Sequence, residues 1–220
     1  MKKLLATLGT LVMLYAGTGC SGDKKDSNPV GPDLSTPVPT HTSVPSPTRT
    51  ITPCMVNFPD AWLNSAVRNT IHKPSGQIYN TDLVGVGFTS LYHYGGSSGQ
   101  EMISNLSGLQ YCTDLTYLNL WGNNISNINA VSYLKKLETL YLQQNYITDI
   151  SALSGLTKLD DIFLNYNGIT DLSSLVTNCN NGGLGSGEKL SVKANPLSPN
   201  SKNVQIPDLQ SKGVIVSWDP

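Results

Sequence analysis

An α/β solenoid with a parallel concave β-sheet is the fold class this sequence predicts, and three observations predict it. A 22-residue unit occurs three times in succession, at residues 103–124, 125–146 and 147–168. Near its end each unit carries apolar residues in the pattern L-x-x-[LI]-x-L: Leu115, Leu118, Leu120; Leu137, Leu140, Leu142; Leu159, Ile162, Leu164. Three residues further on, each unit places an asparagine, at Asn123, Asn145 and Asn167. Apolar residues at every second position are the mark of a short strand with one buried face. A unit this short cannot bury its own leucines, so stability has to come from stacking each unit on its neighbours.

The rest of each unit is apolar at every third residue, as in Ile125, Ile128, Val131, Leu134 and Leu137. A step of three predicts a short 3₁₀ or irregular return path on the convex side rather than a long α-helix. The asparagine sits where the chain bends inward after the strand and backbone groups lose their sheet partners; a side-chain amide can both donate and accept there. Asn195 repeats the position in a fourth unit, so Asn123, Asn145, Asn167 and Asn195 are expected to form a structural ladder. Period and motif together are the leucine-rich-repeat signature. Over roughly residues 54 to 216 the units resemble the 22-residue repeats of internalin-like bacterial surface proteins. That resemblance implies a concave sheet that engages protein ligands.

The edge units deviate. LVGVGFTSLYHYGGSSGQEM offers Leu91 as the strand leucine, has His93 where an inward leucine is expected and lacks a ladder asparagine; its spacing implies an extra loop around Gly95 to Glu101. The last unit, with Leu190, Val192 and Asn195, is six residues longer than the others, in an Asn/Gly-rich stretch. A solenoid needs polar lids at its ends. The segment FPDAWLNSAVRNTI, residues 58–71, predicts an N-terminal helical cap, with Asp60 as N-cap and Leu63, Ala66, Val67 and Ile71 at helical spacing. Residues 197–220, with Ile206, Leu209, Val214 and Val216, resemble the C-terminal cap of the same family, although a surface tail fits them too. The expected organisation is a signal peptide at 1–19, a tether at 20–53, the cap and degenerate first repeat at 54–102, repeats at 103–196 and a C-terminal cap at 197–220.

The leader begins Met1-Lys2-Lys3 and continues LLATLGTLVMLYA, a basic then an apolar region of secretory type, too short for a comfortable membrane span. It ends in Gly17-Thr18-Gly19-Cys20, which resembles a bacterial lipobox except that Gly17 replaces a larger aliphatic residue. Cys20 is therefore expected to carry the lipid and the protein to be an exported, membrane-anchored lipoprotein at the cell envelope or surface. Ordinary signal peptidase cleavage at the same bond is the alternative. Residues 21–53 hold 7 of the chain's 13 prolines and few large apolar residues, so they are expected to form no core. As polyproline II, at about 3.1 Å per residue, they would reach up to about 100 Å.

A net charge of −1 with scattered Lys and Arg lacks the footprint of a nucleic-acid binder. Cys112 takes an inward slot filled by Leu134 and Leu156 in the following units and reads as a buried hydrophobe; Cys54 and Cys179 lie at opposite ends of the array. No Cys/His spacing indicates a metal, no nucleophile or phosphate-loop motif is present, and His93 reads as a packed side chain. A non-enzymatic, monomeric protein without cofactors is expected.

If the strand leucines point inward, the outward positions are Ser90, Tyr92, Tyr94; Tyr117, Asn119, Trp121; Thr139, Tyr141, Gln143; Asp161, Phe163, Asn165; and Lys189, Ser191, Lys193. Six of these fifteen are aromatic, against 7% of the whole chain. Strands favour aromatics intrinsically, but clusters on one exposed face are typical of interfaces. Tyr92, Tyr94, Tyr117, Asn119, Trp121, Tyr141 and Phe163 are thus the expected ligand-binding residues, for a protein or an exposed glycan. The alternative is a structural envelope protein with no dedicated ligand.

Overall fold

A computed structural model describes residues 52–85, 90–95 and 101–220. The expected signal peptide, Cys20 and most of the expected tether lie outside the described residues, as does most of the expected loop between Gly95 and Glu101.

The N-terminal end is a lid. Strands β1 (Met55–Val56) and β2 (Ile78–Tyr79) form an antiparallel pair around helix α1 (Ala61–Thr70). Asp60 caps α1, its Oδ1 accepting from the N–H groups of Trp62 and Leu63 at 3.0 Å each. Those two bonds satisfy amides that a helix start otherwise leaves without partners. Leu63, Ala66 and Val67 bury the inner face of α1 over the first repeat. Phe58 is buried as well, packed so closely on Gly108 that a β-carbon there would lie 2.6 Å from its ring.

Six parallel strands follow: β3 (Ser90–Tyr92), β4 (Tyr117–Asn119), β5 (Thr139–Tyr141), β6 (Asp161–Phe163), β7 (Lys189–Ser191) and β8 (Ile215–Ser217), adjacent in chain order. The register puts Leu91, Leu118, Leu140, Ile162, Leu190 and Val216 in one row. The first five are buried and Val216 is partly so, which is the inward row the alternation predicts. On the convex side the return paths are 3₁₀ turns at Leu109–Tyr111, Asn129–Tyr133 and Ser151–Leu153. Cys112 fills the same interior as Leu134 and Leu156, and burial pushes its thiol pKa up.

In the longer last unit an α-helix, α2 (Ser173–Asn180), stands where the other repeats have a 3₁₀ turn, and the Asn/Gly-rich residues after it, 181–188, run through turns and bends. Asn178 makes this possible: fully buried, it donates to Leu153 O and Leu156 O and accepts from Leu184 N, tying the helix to the previous repeat. The C-terminal residues add α3 (Ile206–Ser211), which buries Ile206 and Leu209, and the sixth strand. Gln205 fixes this end by accepting from Leu172 N and donating to Asp171 Oδ1.

The asparagine ladder has one geometry throughout. Asn145 Oδ1 accepts from Ile125 N at 2.9 Å, and its Nδ2 donates to Leu120 O, Leu142 O and Gln143 O. Asn123, Asn167 and Asn195 make the corresponding bonds to Ile103 N, Ile147 N and Ile169 N. Because each amide reaches back one repeat, successive asparagines share a carbonyl: Leu120 O accepts from Asn123 and Asn145, Leu142 O from Asn145 and Asn167, Leu164 O from Asn167 and Asn195. His93, in the unit without an asparagine, offers its carbonyl to Asn123. Its ring stacks on Trp62 at 6.3 Å, with Nε2 2.8 Å from Glu101 O.

Candidate recognition face

Strand register arranges the outward side chains in rows across the sheet. The row Ser90, Tyr117, Thr139, Asp161, Lys189 and Ile215 lies beside the row Tyr92, Asn119, Tyr141, Phe163, Ser191 and Ser217. Tyr94, Trp121, Gln143, Asn165 and Lys193 occupy the equivalent position two residues past these. Tyr92, Tyr94 and Trp121 are exposed, at 63%, 52% and 41%; Tyr117, Tyr141 and Phe163 are half-buried.

The rings form two groups. Tyr92 contacts Tyr94 at 6.3 Å between centroids, and Tyr94 meets Trp121 edge-on at 6.1 Å. Tyr117 contacts Tyr141 at 5.7 Å, and Tyr141 stacks on Phe163 at 4.6 Å with 8° between planes. Offset-stacked and edge-to-face pairs within about 4.5–7 Å are attractive in their own right. Each ring is therefore held in place by another before any ligand arrives. Burial between these neighbours, followed by the nearby Tyr117, Asp161 and Tyr94, raises the pKa of Tyr141.

Asn119 changes role. The sequence places it among the ligand contacts, but it is only 6% exposed, because the tyrosines on either side close over it. Its Nδ2 donates to Tyr117 Oη at 3.2 Å and to Tyr94 Oη at 3.4 Å, and its Oδ1 accepts from Trp121 N. Asn119 thus braces both ring groups from beneath. The alternation marks it as outward and carries no signal of this second task.

Beyond Phe163 the face turns polar. Lys189 Nζ lies 3.6 Å from Asp161, and Asn165 Oδ1 accepts from Ser191 Oγ and Lys193 N. Gln143 lies between the two regimes. Its Oε1 is buried and has no hydrogen-bond partner among the described residues. Native structures seldom leave a buried acceptor unpaired.

Asp60 is a connection that sequence reasoning missed. Besides capping α1, its Oδ2 accepts from Ser104 N at 2.8 Å and Asn105 N at 3.1 Å, bolting the cap to the first repeat. Burial alone raises its pKa, but the N–H groups of Ser104, Leu63, Asn105 and Trp62 outweigh that and hold it below the usual value. No group of three or more metal-ligating side chains comes together among the described residues. No helix among them is long and apolar enough to cross a membrane.

A leucine-rich-repeat family model matches residues 113–169. Among solved structures, an internalin from Listeria monocytogenes is 28% identical over 74% of this chain and 52% of its own, with a TM-score of 0.57. The chain thus spans about half the length of that internalin. A leucine-rich-repeat protein of Leptospira interrogans is 20% identical over 54% of this chain and 35% of its own, with a TM-score of 0.42. The structure of the CBM51-2 and INT domains of Clostridium perfringens ZmpB matches 43% of this chain and 19% of its own at 29% identity and a TM-score of 0.36. Comparison with curated protein sequences gives no match. The repeat register, the 3₁₀ return turns and the likeness to the Listeria internalin together make the fold of this domain a leucine-rich-repeat fold.

Proposed function

We propose that the protein is a non-enzymatic recognition module that binds a protein ligand on the concave face through Tyr92, Tyr94, Tyr117, Trp121, Tyr141 and Phe163. The observation that carries this reading is the pair of ring groups, braced by Asn119 and still presenting Tyr92, Tyr94 and Trp121 to solvent. Rings fixed in advance lose little conformational freedom on binding, so more of the contact energy survives as affinity. Truncating a central aromatic anchor of this kind commonly costs about 2 kcal/mol or more in binding. The polar flank of Asp161, Lys189, Asn165 and Lys193 supplies the rim.

On the same reading, the leader exports the chain and Cys20 carries a lipid that holds the repeats at the envelope on the proline-rich tether. What supports the anchor is the Thr18-Gly19-Cys20 sequence after an apolar segment.

The experiment is a binding screen of the purified protein against extracellular protein domains and surface glycans, repeated with Trp121→Ala and Tyr141→Ala and paired with circular dichroism. Both variants are expected to keep the fold and lose a protein ligand that the wild type captures. Binding unchanged in both would move recognition off this face. Failure of the wild type to bind any probe would favour an envelope protein that acts as a spacer.

A further inference from the structure

A groove of about 330 Å³ lies away from the concave rows, where the chain turns out of β4 and β5 towards the convex side. Its lining includes Met102, Gly122, Asn124, Gln144, Tyr146 and Tyr166, and no charged residue lines it. Tyr146 and Tyr166 are 67% and 60% exposed. Neither ring packs on another aromatic ring or makes a side-chain hydrogen bond among the described residues, and the same is true of the amides of Asn124 and Gln144 for hydrogen bonds. These side chains therefore contribute little to holding the fold.

The backbone makes their identity harder to explain as surface filler. The position just before each ladder asparagine is left-handed in all four repeats: Gly122 (φ 69°), Gln144 (φ 52°), Tyr166 (φ 57°) and Ala194 (φ 52°). Glycine takes that conformation freely, whereas a bulky side chain there is an outlier. Two of the three non-glycine residues in this slot, Gln144 and Tyr166, line the groove. Strain retained without compensating packing points to a use for the side chain.

The chemistry narrows the occupant. With no charge in the lining, an ionic ligand would be desolvated without compensation. Primary amides present a donor and an acceptor together, which matches hydroxyl groups that do both. Exposed tyrosine faces offer flat apolar surface to the C–H faces of a pyranose ring. The volume is at the lower end of the roughly 300–1,000 Å³ of small-molecule sites, enough for one or two rings. We propose that this groove binds a neutral saccharide, at a site separate from the concave face.

The test is ligand-observed NMR on the purified protein with neutral tri- and tetrasaccharides of glucose, mannose, galactose and N-acetylglucosamine, and with oligogalacturonate and oligoglucosamine as charged controls. At least one neutral saccharide is expected to bind. Tyr146→Ala and Tyr166→Gly should each weaken it roughly five- to tenfold, while Tyr92→Ala, on the concave face, leaves it unchanged. Tyr166→Gly relieves the left-handed backbone, so its melting temperature should equal or exceed that of the wild type, which separates lost binding from lost folding. The proposal is overturned if no neutral saccharide binds, if only the charged oligomers do, if binding survives both groove variants, or if Tyr92→Ala weakens it equally. Because Tyr92→Ala leaves the groove intact, failure here is distinguishable from failure of protein recognition on the concave face.

Discussion

The shared carbonyls of the asparagine ladder make a quantitative prediction about coupling between repeats. Replacing Asn145 by alanine removes the acceptor of Ile125 N, which is buried in the turn. Leu120 O keeps its bond from Asn123, and Leu142 O keeps its bond from Asn167. One orphaned N–H costs about 1–3 kcal/mol, so the single variant should lose about that much and not the sum of all four bonds. Asn167→Ala should behave alike, orphaning Ile147 N while Leu142 O keeps Asn145 and Leu164 O keeps Asn195. In the double variant Leu142 O loses both donors at once. Its loss should therefore exceed the sum of the singles by about 1–2 kcal/mol. Urea denaturation of the four proteins, followed by circular dichroism, measures this directly. Asn123 and Asn167 share no carbonyl and provide an additive control. Additivity of Asn145 with Asn167 to within about 0.5 kcal/mol would show that the ladder is not cross-braced.

Other outcomes follow from single contacts. Leu140→Ala, at a fully buried position, should cost about 2–5 kcal/mol in denaturant titration. The depressed pKa of Asp60 means that its carboxylate stabilises the fold above the ordinary carboxylate range, and that this contribution is lost as pH falls through the folded value. Asp60→Asn should accordingly flatten the acid limb of a stability-versus-pH curve; an unchanged limb would assign acid sensitivity elsewhere. Gln143→Leu removes the unpaired buried acceptor and should leave the protein no less stable, as read by melting temperature; a clear loss of stability would show that the acceptor is satisfied. Mass spectrometry of the cell-derived protein should find Cys20 as the N-terminal residue carrying the lipid on its thiol. An unmodified Cys20, or one in disulfide linkage, would remove the anchor.

The inward rows, the 3₁₀ returns, the Asp60 cap and the ladder were legible because each depends on a local period or a capping preference that recurs in the chain. What the sequence hid is tertiary. Asn119 occupies an outward position by alternation, yet two tyrosines from β4 and from beyond β3 fold over it, and only side-chain packing decides that. The Asn/Gly-rich stretch of the last unit does run through turns and bends, but the helix α2 just before it carried no local signal; it is tied down because Asn178 finds two carbonyls in the preceding repeat, partners 22 to 25 residues away. The left-handed slot before each asparagine was equally hidden, since Gln144, Tyr166 and Ala194 give none of the signal that Gly122 gives. The aromatic excess was visible as a list of positions, while its division into two ring groups follows from the geometry between neighbouring strands.

Site-specific photo-crosslinking tests the central claim most directly, because it captures a partner whose identity is still open. A benzophenone amino acid is placed at Tyr92, Trp121 or Phe163 on the concave face, and at Tyr133 on the convex side as control, in the protein produced in its own cells. Tyr133 is 60% exposed, close to the 63% of Tyr92, so access is matched. Recognition by the concave face predicts one protein partner joined to the three concave positions and absent from Tyr133. Adducts from Tyr133 alone, or equal labelling from all four positions, would contradict it.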